Sequence, residues 1–419
     1  MKSQSEQLNL KLQEQKCPVY SMLSTKGKNA FFPKGGILEQ SAQAKGKKYN
    51  ATMGQAFDKD GSPLILDSFA TQLTLPKELF LYSSSHGNMQ LREIWQKKIY
   101  EQNPSIQSPI SMPIVTGGIT HGIYLASQLF LDKGDQLIIP DKLWGNYNLI
   151  FEQAEFNVFP FFNNNGFNIK NFEEKLSEKG GKKIVLLNFP HNPTGYSLLK
   201  NEVMELTYVI QAAAEKGQKI IVICDDAYFG LGYEQDLEKE SIFAKLTNAH
   251  ENILAIKVDG ITKECYAWGA RVGFMTYGSK GLDEKGLKIL EEKTAGMVRQ
   301  TISNVCTHSQ FLAINALSSE SYSKEVNTNF NILKDRYIVV QQSLKGYEDQ
   351  FKALPFNSGY FMCVQLKHRD AEEVRLKLLE HEIGVIAIGN LLRIAYSSVA
   401  KEKIPFIFEK MYQVCKEMK

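Results

Sequence analysis

The sequence predicts an α/β fold in which a mostly parallel sheet is flanked by helices and joined to a smaller α+β part. Between about residues 85 and 300, short β-branched and aliphatic runs alternate with longer amphipathic stretches, a pattern typical of βαβ units. The longest unbroken apolar runs, such as residues 220–224, have five residues, which suits a buried strand and is far short of the ~20 residues that cross a bilayer. With 419 residues, 43% of them hydrophobic, the chain can bury a large core and form more than one folded unit.

Six strands are predicted in this central region, because six apolar runs rich in β-branched residues lie between turn signals. They cover residues 113–116, 136–139, 183–188, 219–224, 253–258 and 272–276. Between the third and the fourth, apolar residues recur three and four positions apart over residues 202–216, and Gly217 follows. This spacing predicts a helix that ends at a glycine.

The two ends of the chain differ from its centre. Polar helical patterns cover residues 329–344 and 371–381, and short strands are predicted at residues 360–366 and 391–395. We therefore predict a large domain over residues 66–329 and a small discontinuous α+β domain made from residues 1–65 and 330–419.

Charge and cysteine content exclude several classes of protein. Forty-nine basic and 46 acidic residues leave a net charge of +3 that no segment concentrates, so nucleic acid is not an expected partner. The N-terminus lacks the apolar core of a secretory signal, and we expect a cytoplasmic protein with no membrane partner. Six cysteines are spread with no pair closer than 41 residues, which predicts neither a metal site nor a disulfide framework.

Polar groups follow two of the predicted strands, at the edge where open α/β sheets bind ligands. After the first strand, Gly117 and Gly118 precede an apolar helix whose first N–H groups could surround an anion, although such a glycine pair alone is more often only a turn. After the third strand, Asn192 lies between Pro190 and Pro193, which fix the direction of its amide. A simple turn would explain this segment equally well.

Charged groups follow two further strands. Asp225, Asp226 and Tyr228 come after the fourth strand; a buried carboxylate there needs a cationic partner, while a helix cap is the simpler interpretation of two acids alone. Lys263 and Arg271 come after the fifth strand. A lysine amine in a low-dielectric cleft has a lowered pKa and attacks aldehydes, whereas a lone lysine is usually solvated. Only the combination of these groups on one sheet edge indicates a reactive site.

The sequence resembles the fold-type I pyridoxal-phosphate enzymes and, within them, the class I and II aminotransferases. The resemblance covers about residues 50–397 and rests on four motifs: Asn192-Pro-Thr-Gly195, Asp225-x-Ala-Tyr228, Thr262-Lys263 and Gly269-x-Arg271-x-Gly273. It implies a seven-stranded sheet, pyridoxal 5'-phosphate as the cofactor, and transfer of the amino group of an L-amino acid to a 2-oxoacid by a ping-pong mechanism.

The resemblance also implies a role for each matching residue. Lys263 would bond covalently to the cofactor aldehyde and then move the substrate proton as general base and acid. Asp225 would pair with the protonated pyridine nitrogen, and Asn192 and Tyr228 would hydrogen-bond the ring 3-oxygen. Asp226, the next residue along the strand, would point to the opposite face.

Other matches concern the cofactor phosphate and ring. The phosphate would be held by Arg271, Gly118, Ile119, Thr120 and Thr262. Trp144 would stack on the pyridine ring, and Tyr82 would reach the phosphate of a neighbouring subunit, which implies a homodimer. One position departs from the pattern, because Gly260 stands where many members place a phosphate-binding serine.

The substrate would be held by residues from both ends of the chain. Arg393 matches the arginine that binds the α-carboxylate, Gly54 matches a glycine whose loop closes over that group, and Asn192 would contact the substrate as well. Arg299 matches, less closely, an arginine that reaches the partner's site and binds the distal acid of dicarboxylates.

Two alternatives stay open at this level. The same cofactor site also serves β-lyases, decarboxylases and racemases, which differ from aminotransferases in the bond that is broken. An aminotransferase-like domain can also sense a ligand for a transcription regulator, but residues 1–49 are too few and too weakly basic for a DNA-binding unit. The amino donor cannot be named from the sequence.

Overall fold

The computed structural model describes residues 4–14, 19–23, 28–29, 36–70, 75–164, 166–178 and 181–418. We number its helices in chain order as α1 Gln4–Glu14, α2 Val19–Met22, α3 Gly36–Gln43, α4 Asp67–Ala70, α5 Met89–Gln102, α6 Ile119–Phe130, α7 Tyr147–Ile150, α8 Ile169–Ser177, α9 Lys200–Glu215, α10 Ile242–Leu246, α11 Ile261–Glu264, α12 Glu284–Ile302, α13 Thr307–Leu317, α14 Tyr322–Ser343, α15 Ala371–Glu380 and α16 Ile404–Glu417. The strands are β1 Tyr49–Asn50, β2 Ile114–Thr116, β3 Gln136–Pro140, β4 Glu155–Phe159, β5 Phe162–Asn163, β6 Gly166–Phe167, β7 Lys183–Asn188, β8 Ile220–Asp225, β9 Ile253–Gly260, β10 Gly273–Gly278, β11 Phe351–Ala353, β12 Phe361–Leu366, β13 Ile383–Gly384, β14 Ile386–Ile388 and β15 Leu391–Ala395.

Seven strands form the central sheet, in the order β2-β10-β9-β8-β7-β3-β4. Strand β10 is antiparallel to β2 and β9, and the remaining neighbours are parallel. The predicted mostly parallel α/β sheet of seven strands is therefore confirmed.

The six strands predicted from apolar runs are all present, with ends shifted by at most two residues. The seventh, β4, was missed. It lies at the sheet edge, only Phe159 of its five residues is fully buried, and it includes Glu155 and Asn157. An edge strand that is half exposed lacks the continuous apolar run that marks a buried one.

The helices pack against the sheet through their apolar residues. The predicted helix 202–216 corresponds to α9, which buries Val203, Leu206 and Ile210 and ends before Gly217, whose φ is +90°. Glycine adopts this left-handed conformation without a steric penalty, which explains the stop. No helix among the described residues is both long and apolar enough to cross a membrane.

A second sheet, in the order β11-β12-β15-β14, contains only residues from the C-terminal part of the chain. The N-terminal part joins it through β1, which pairs with β13 in parallel, and through the Ala51 N–H, which donates to the Gly384 carbonyl at 2.8 Å. The predicted division into domains 66–329 and 1–65 plus 330–419 stays a prediction. Helix α14 runs across the proposed boundary at residue 329.

Candidate active site

A cavity of about 360 Å³ lies at the carboxyl ends of the central parallel strands, where the second sheet meets the first. Most of the residues singled out from the sequence line it: Gly54, Ile119, Thr120, Trp144, Asn192, Asp225, Tyr228, Lys263 and Arg393. A cleft of about 1060 Å³, lined by Tyr82 and Arg92, is larger. The smaller cavity is the candidate site because it brings Lys263, Asp225 and Arg393 together where the parallel strands end.

Lys263 lies in α11, the single turn that directly follows β9. Burial lowers the pKa of its amine to about 8, against the opposing effect of the Asp225 carboxylate and with a further lowering by Arg271. Its Nζ lies 5.0 Å from the centroid of the Tyr228 ring. An amine with this pKa is partly uncharged near neutral pH, which is what nucleophilic attack requires.

Asp225 is the last residue of β8 and is 3% exposed. Its Oδ1 accepts from the Ala227 N–H at 3.1 Å, and its Oδ2 accepts from the Tyr147 hydroxyl. Burial raises the pKa of this carboxyl to about 6, while the Tyr147 hydrogen bond and Lys263 act in the opposite direction. The carboxylate is therefore mostly ionised at neutral pH.

Tyr147 is not among the site residues predicted from the sequence. Its sequence neighbour Trp144 was noted as a stacking residue, and no pattern links Tyr147 with a carboxylate 78 residues away. The side chain is fully buried in α7, and burial together with Asp225 raises the pKa of its phenol well above the ordinary value. Tyr147 is thus a hydrogen-bond donor that keeps its own proton and stabilises the charged form of Asp225.

We expect Tyr147→Phe to shift the acidic limb of the pH–activity profile upward by about one unit. The hydrogen bond that lowers the pKa of Asp225 is lost, so this pKa rises above about 6 and the carboxylate is protonated at a higher pH. Tyr208→Phe is the matched control, since Tyr208 is 72% exposed. An unchanged limb in folded Tyr147→Phe would show that this hydrogen bond does not tune the carboxyl.

Arg393, on β15, is 3% exposed and forms an incomplete set of hydrogen bonds. Its Nη2 donates to the Thr52 carbonyl at 3.0 Å and its Nη1 to Asn192 Oδ1 at 3.3 Å. Its Nε has no hydrogen-bond partner among the described residues, and burial lowers its pKa. A buried guanidinium with a free N–H is costly unless an anion completes its hydrogen bonds.

The backbone of Asn192 is held by Asn188, the last residue of β7. Its N–H donates to Asn188 Oδ1 at 2.9 Å, and Asn188 Nδ2 donates to the Asp225 carbonyl at 2.8 Å. The peptide bonds Phe189–Pro190 and Asn192–Pro193 are both cis. Asn192 is thus held through its backbone N–H by Asn188, while its side-chain Oδ1 accepts from Arg393.

Gly118, Gly260 and Gly273 let three backbone segments converge beside the start of α6. A Cβ on Gly118, whose φ is +90°, would collide with the guanidinium of Arg271. A Cβ on Gly273 would lie 2.8 Å from the Ile119 nitrogen. Thr262 lies in α11, two residues after Gly260, and its buried hydroxyl has no partner among the described residues. An arginine, a hydroxyl without a partner among the described residues and a helix N-terminus are groups that could hold an anion.

Gly260 is explained by the same close packing. It pairs with Gly273 across β9 and β10, and a Cβ on it would lie 2.7 Å from the Gly273 Cα and 2.7 Å from the Val272 carbonyl oxygen. No side chain fits there. The close approach of β9 and β10 therefore explains why this chain has a glycine at the position where the family pattern has a serine.

We expect Gly260→Ser to destabilise the fold by about 1–3 kcal/mol and to leave phosphate binding no tighter. Thermal unfolding and a cofactor titration measure the two effects. Gly269→Ser is the matched control, because a Cβ on Gly269 meets nothing within 4 Å. If Gly260→Ser kept its stability and bound cofactor more tightly, the packing argument would be wrong.

Other predicted residues take two different positions. Trp144 lines the cavity and makes an edge contact with Tyr147, with ring centroids 5.4 Å apart. Tyr82 is 92% exposed and Arg299 is exposed near the end of α12. Neither of these two lines the cavity of its own chain.

Comparison with known proteins agrees with this geometry. The sequence profile of the family described as aminotransferase class I and II matches residues 62–410. A probable aspartate/prephenate aminotransferase of Aquifex aeolicus is 26% identical over 67% of this chain and 69% of its own length. An aspartate aminotransferase of Pyrococcus horikoshii is 28% identical over 63% of each chain, so the alignment covers less than two thirds of that relative. The crystal structure of an aminotransferase from Anaerococcus prevotii superposes with a TM-score of 0.83 and 26% identity, over 93% of this chain and 99% of that one.

Proposed function

This chain belongs to the class I and II aminotransferase family and is a pyridoxal-phosphate-dependent aminotransferase, and we propose that Lys263 and Asp225 are its central reacting residues. The observation that carries the proposal is their placement. A lysine of lowered pKa follows β9 and a buried carboxylate ends the neighbouring β8, and both face one cavity. The same cavity contains Arg393, whose Nε lacks a partner among the described residues.

The residues present fit the cofactor. Arg271, the Thr262 hydroxyl and the start of α6 at Ile119 and Thr120 would hold its phosphate, with Gly118 leaving the necessary space. Asp225 would pair with the pyridine nitrogen, Asn192 and Tyr228 with the 3-oxygen, and Trp144 would lie against the ring. When bound, pyridoxal phosphate supplies an aldehyde that reacts with amines and a ring that withdraws electrons.

The chain's own groups supply the proton chemistry. Lys263 would bind the cofactor covalently in the resting enzyme and, once displaced by the substrate amine, take up and return the α-proton. Its lowered pKa keeps it available as a base near neutral pH. Asp225 would stay ionised with the help of Tyr147 and hold a proton on the facing ring nitrogen.

Arg393 would bind the α-carboxylate of the substrate. Its Nε has no partner in the described part of the chain, and its guanidinium lies 4.4 Å from the centroid of the Phe361 ring, which excludes water from one side. Asn192 would steady the same guanidinium through its Oδ1. The segment around Gly54 borders the cavity, and a Cβ at this glycine would lie 3.5 Å from Phe361.

The side-chain subsite would depend on a second copy of the chain. Lys263 and Arg393 are the cationic residues among the described lining of the cavity, so a distal carboxylate needs a cation from elsewhere. We place Arg299 of a partner subunit in that role and Tyr82 of the partner at the phosphate. The exposed apolar residues Phe80 and Leu81 beside Tyr82 support a homodimer.

A half-reaction screen tests this proposal. The cofactor-loaded enzyme is mixed with single amino acids, and the change in visible absorbance is followed without an oxoacid. We expect aspartate and glutamate to react, and Arg299→Ala to weaken their half-reaction about 10–100-fold while leaving phenylalanine unchanged. Lys293→Ala, an exposed cation of the same helix, is the control. Equal rates for aspartate in Arg299→Ala and the control would remove Arg299 from the subsite.

A further inference from the structure

Two acids that take no part in the reaction directly follow the two central residues. Asp226 follows Asp225, and Glu264 follows Lys263, and both acids are buried. Each is paired with its own lysine: Asp226 with Lys257, which is fully buried, and Glu264 with Lys98, whose side chain is 14% exposed. This repeated arrangement does not bind the cofactor or the substrate, since none of the four residues lines the cavity.

Lys257 is the most deeply buried member, with a side chain that is 0% exposed. It lies on β9 opposite Cys224 of β8, one position before the Val258–Asp225 pair. Its Nζ contacts Asp226 Oδ2, lies 3.3 Å from Asp259 Oδ2 and lies 4.4 Å from the Phe229 ring centroid. Burial alone would lower the pKa of Lys257, but the two carboxylates outweigh it and raise that pKa.

The acids of this cluster are also fixed by neutral donors. Ser241 Oγ donates to Asp226 Oδ2 at 2.6 Å, and Trp95 Nε1 donates to Asp259 Oδ1 at 3.0 Å. Gln102 donates to Glu264 at 2.6 Å. The cluster therefore has a defined charge arrangement rather than a set of mobile surface pairs.

We propose that Lys257 is a positioning residue that cancels the charge of Asp226 and so keeps Asp225 ionised in the working pH range. This inference rests on the proposed role of Asp225. An uncancelled negative charge on the neighbouring residue would disfavour a second carboxylate in the same low-dielectric region. Conversely, the positive charge of Lys257 without the Asp226 carboxylate would favour the ionised form of Asp225 and lower its pKa.

The groups that face this pair come from every element packed around it. The groups near Asp225 are Tyr147, Tyr228, Lys263 and Asp226. The groups near Asp226 are Lys257, Ser241, Cys224 and Glu264. Asp259 and Lys98 complete the cluster. Burial raises the pKa of Asp226, and Lys257 is the largest influence that lowers it again. Lys257 is thus the main source of balancing charge.

The test uses cofactor binding rather than turnover. In a Lys263→Ala background no reacting amine titrates, and equilibrium dialysis of pyridoxal phosphate against pH reports the ionisation of Asp225. We expect Lys257→Met to move the midpoint of this binding profile upward by about one pH unit and Asp226→Asn to move it downward. The double variant Lys257→Met, Asp226→Asn should return it close to the starting value.

Each outcome decides between the hypotheses. Midpoints that stay constant in the folded single variants would overturn the inference, because loss of packing alone predicts no opposed shifts. If Lys257→Met fails to fold, Asp226→Asn still tests the sign, since Lys257 keeps Asp259 as a partner. Asp225→Ala in the same background should abolish the transition that the variants shift. If that transition persists, the assignment of Asp225 itself is wrong, which separates the two failures.

Discussion

Lys263→Ala is expected to lower the turnover number by at least about 10⁴-fold, because in the proposed mechanism one amine would supply both the covalent attachment and the proton transfer. Its position after β9, its burial and its pKa of about 8 suit it for both tasks. Steady-state transamination with saturating amino acid and oxoacid measures the loss. The visible absorbance that depends on the covalent bond should disappear as well.

Two controls separate chemistry from folding. Lys263→Arg keeps a positive charge but cannot form the bond, so it should be as inactive as the alanine variant. Lys280→Ala removes an exposed lysine and should behave like the unmodified protein. Transamination in Lys263→Ala within tenfold of the unmodified protein would contradict the assignment.

Asp225→Ala is expected to lower the turnover number by roughly 10³-fold while the protein keeps part of its cofactor. Gly118, Thr262 and Arg271, which we propose hold the phosphate, make no hydrogen bond to this carboxylate among the described contacts, so they should still bind the cofactor. Kinetics and a cofactor titration give the two quantities separately.

The isosteric variant Asp225→Asn isolates the charge. It keeps the shape of the side chain and much of the hydrogen bonding to Tyr147 but lacks the negative charge. Because that charge is the proposed contribution of Asp225, we expect this variant to lose nearly as much activity as Asp225→Ala. If Asp225→Asn retained turnover within tenfold, the ring nitrogen would not depend on a negative charge at this position.

The parts of the fold that could be predicted are those where local sequence and burial agree. The apolar run predicts strand β7 at residues 183–188, and the structure confirms these bounds and buries all six residues. Asp225 and Lys263 were expected to lie near each other because parallel strands end at one edge, and both line the same cavity. The end of α9 was predictable from the conformational freedom of Gly217, which follows it.

The remainder depends on contacts between distant segments. The Tyr147–Asp225 hydrogen bond, the pairing of Lys257 with Asp226, and the contact of Gly260 with Gly273 all join separate elements. No periodicity or spacing in one sequence encodes such pairs. The seventh strand was missed for a different reason, since β4 is a half-exposed edge strand.

Peptide mapping after hydride reduction tests the central claim most directly. Reduction of the cofactor-loaded protein fixes pyridoxal phosphate on the amine that holds it, and mass spectrometry of the digest identifies that amine. We predict a single modified peptide that carries the cofactor on Lys263, and no modification of Lys257 or Lys98. A cofactor found on any other lysine, or a protein that remains unmodified, would contradict the account.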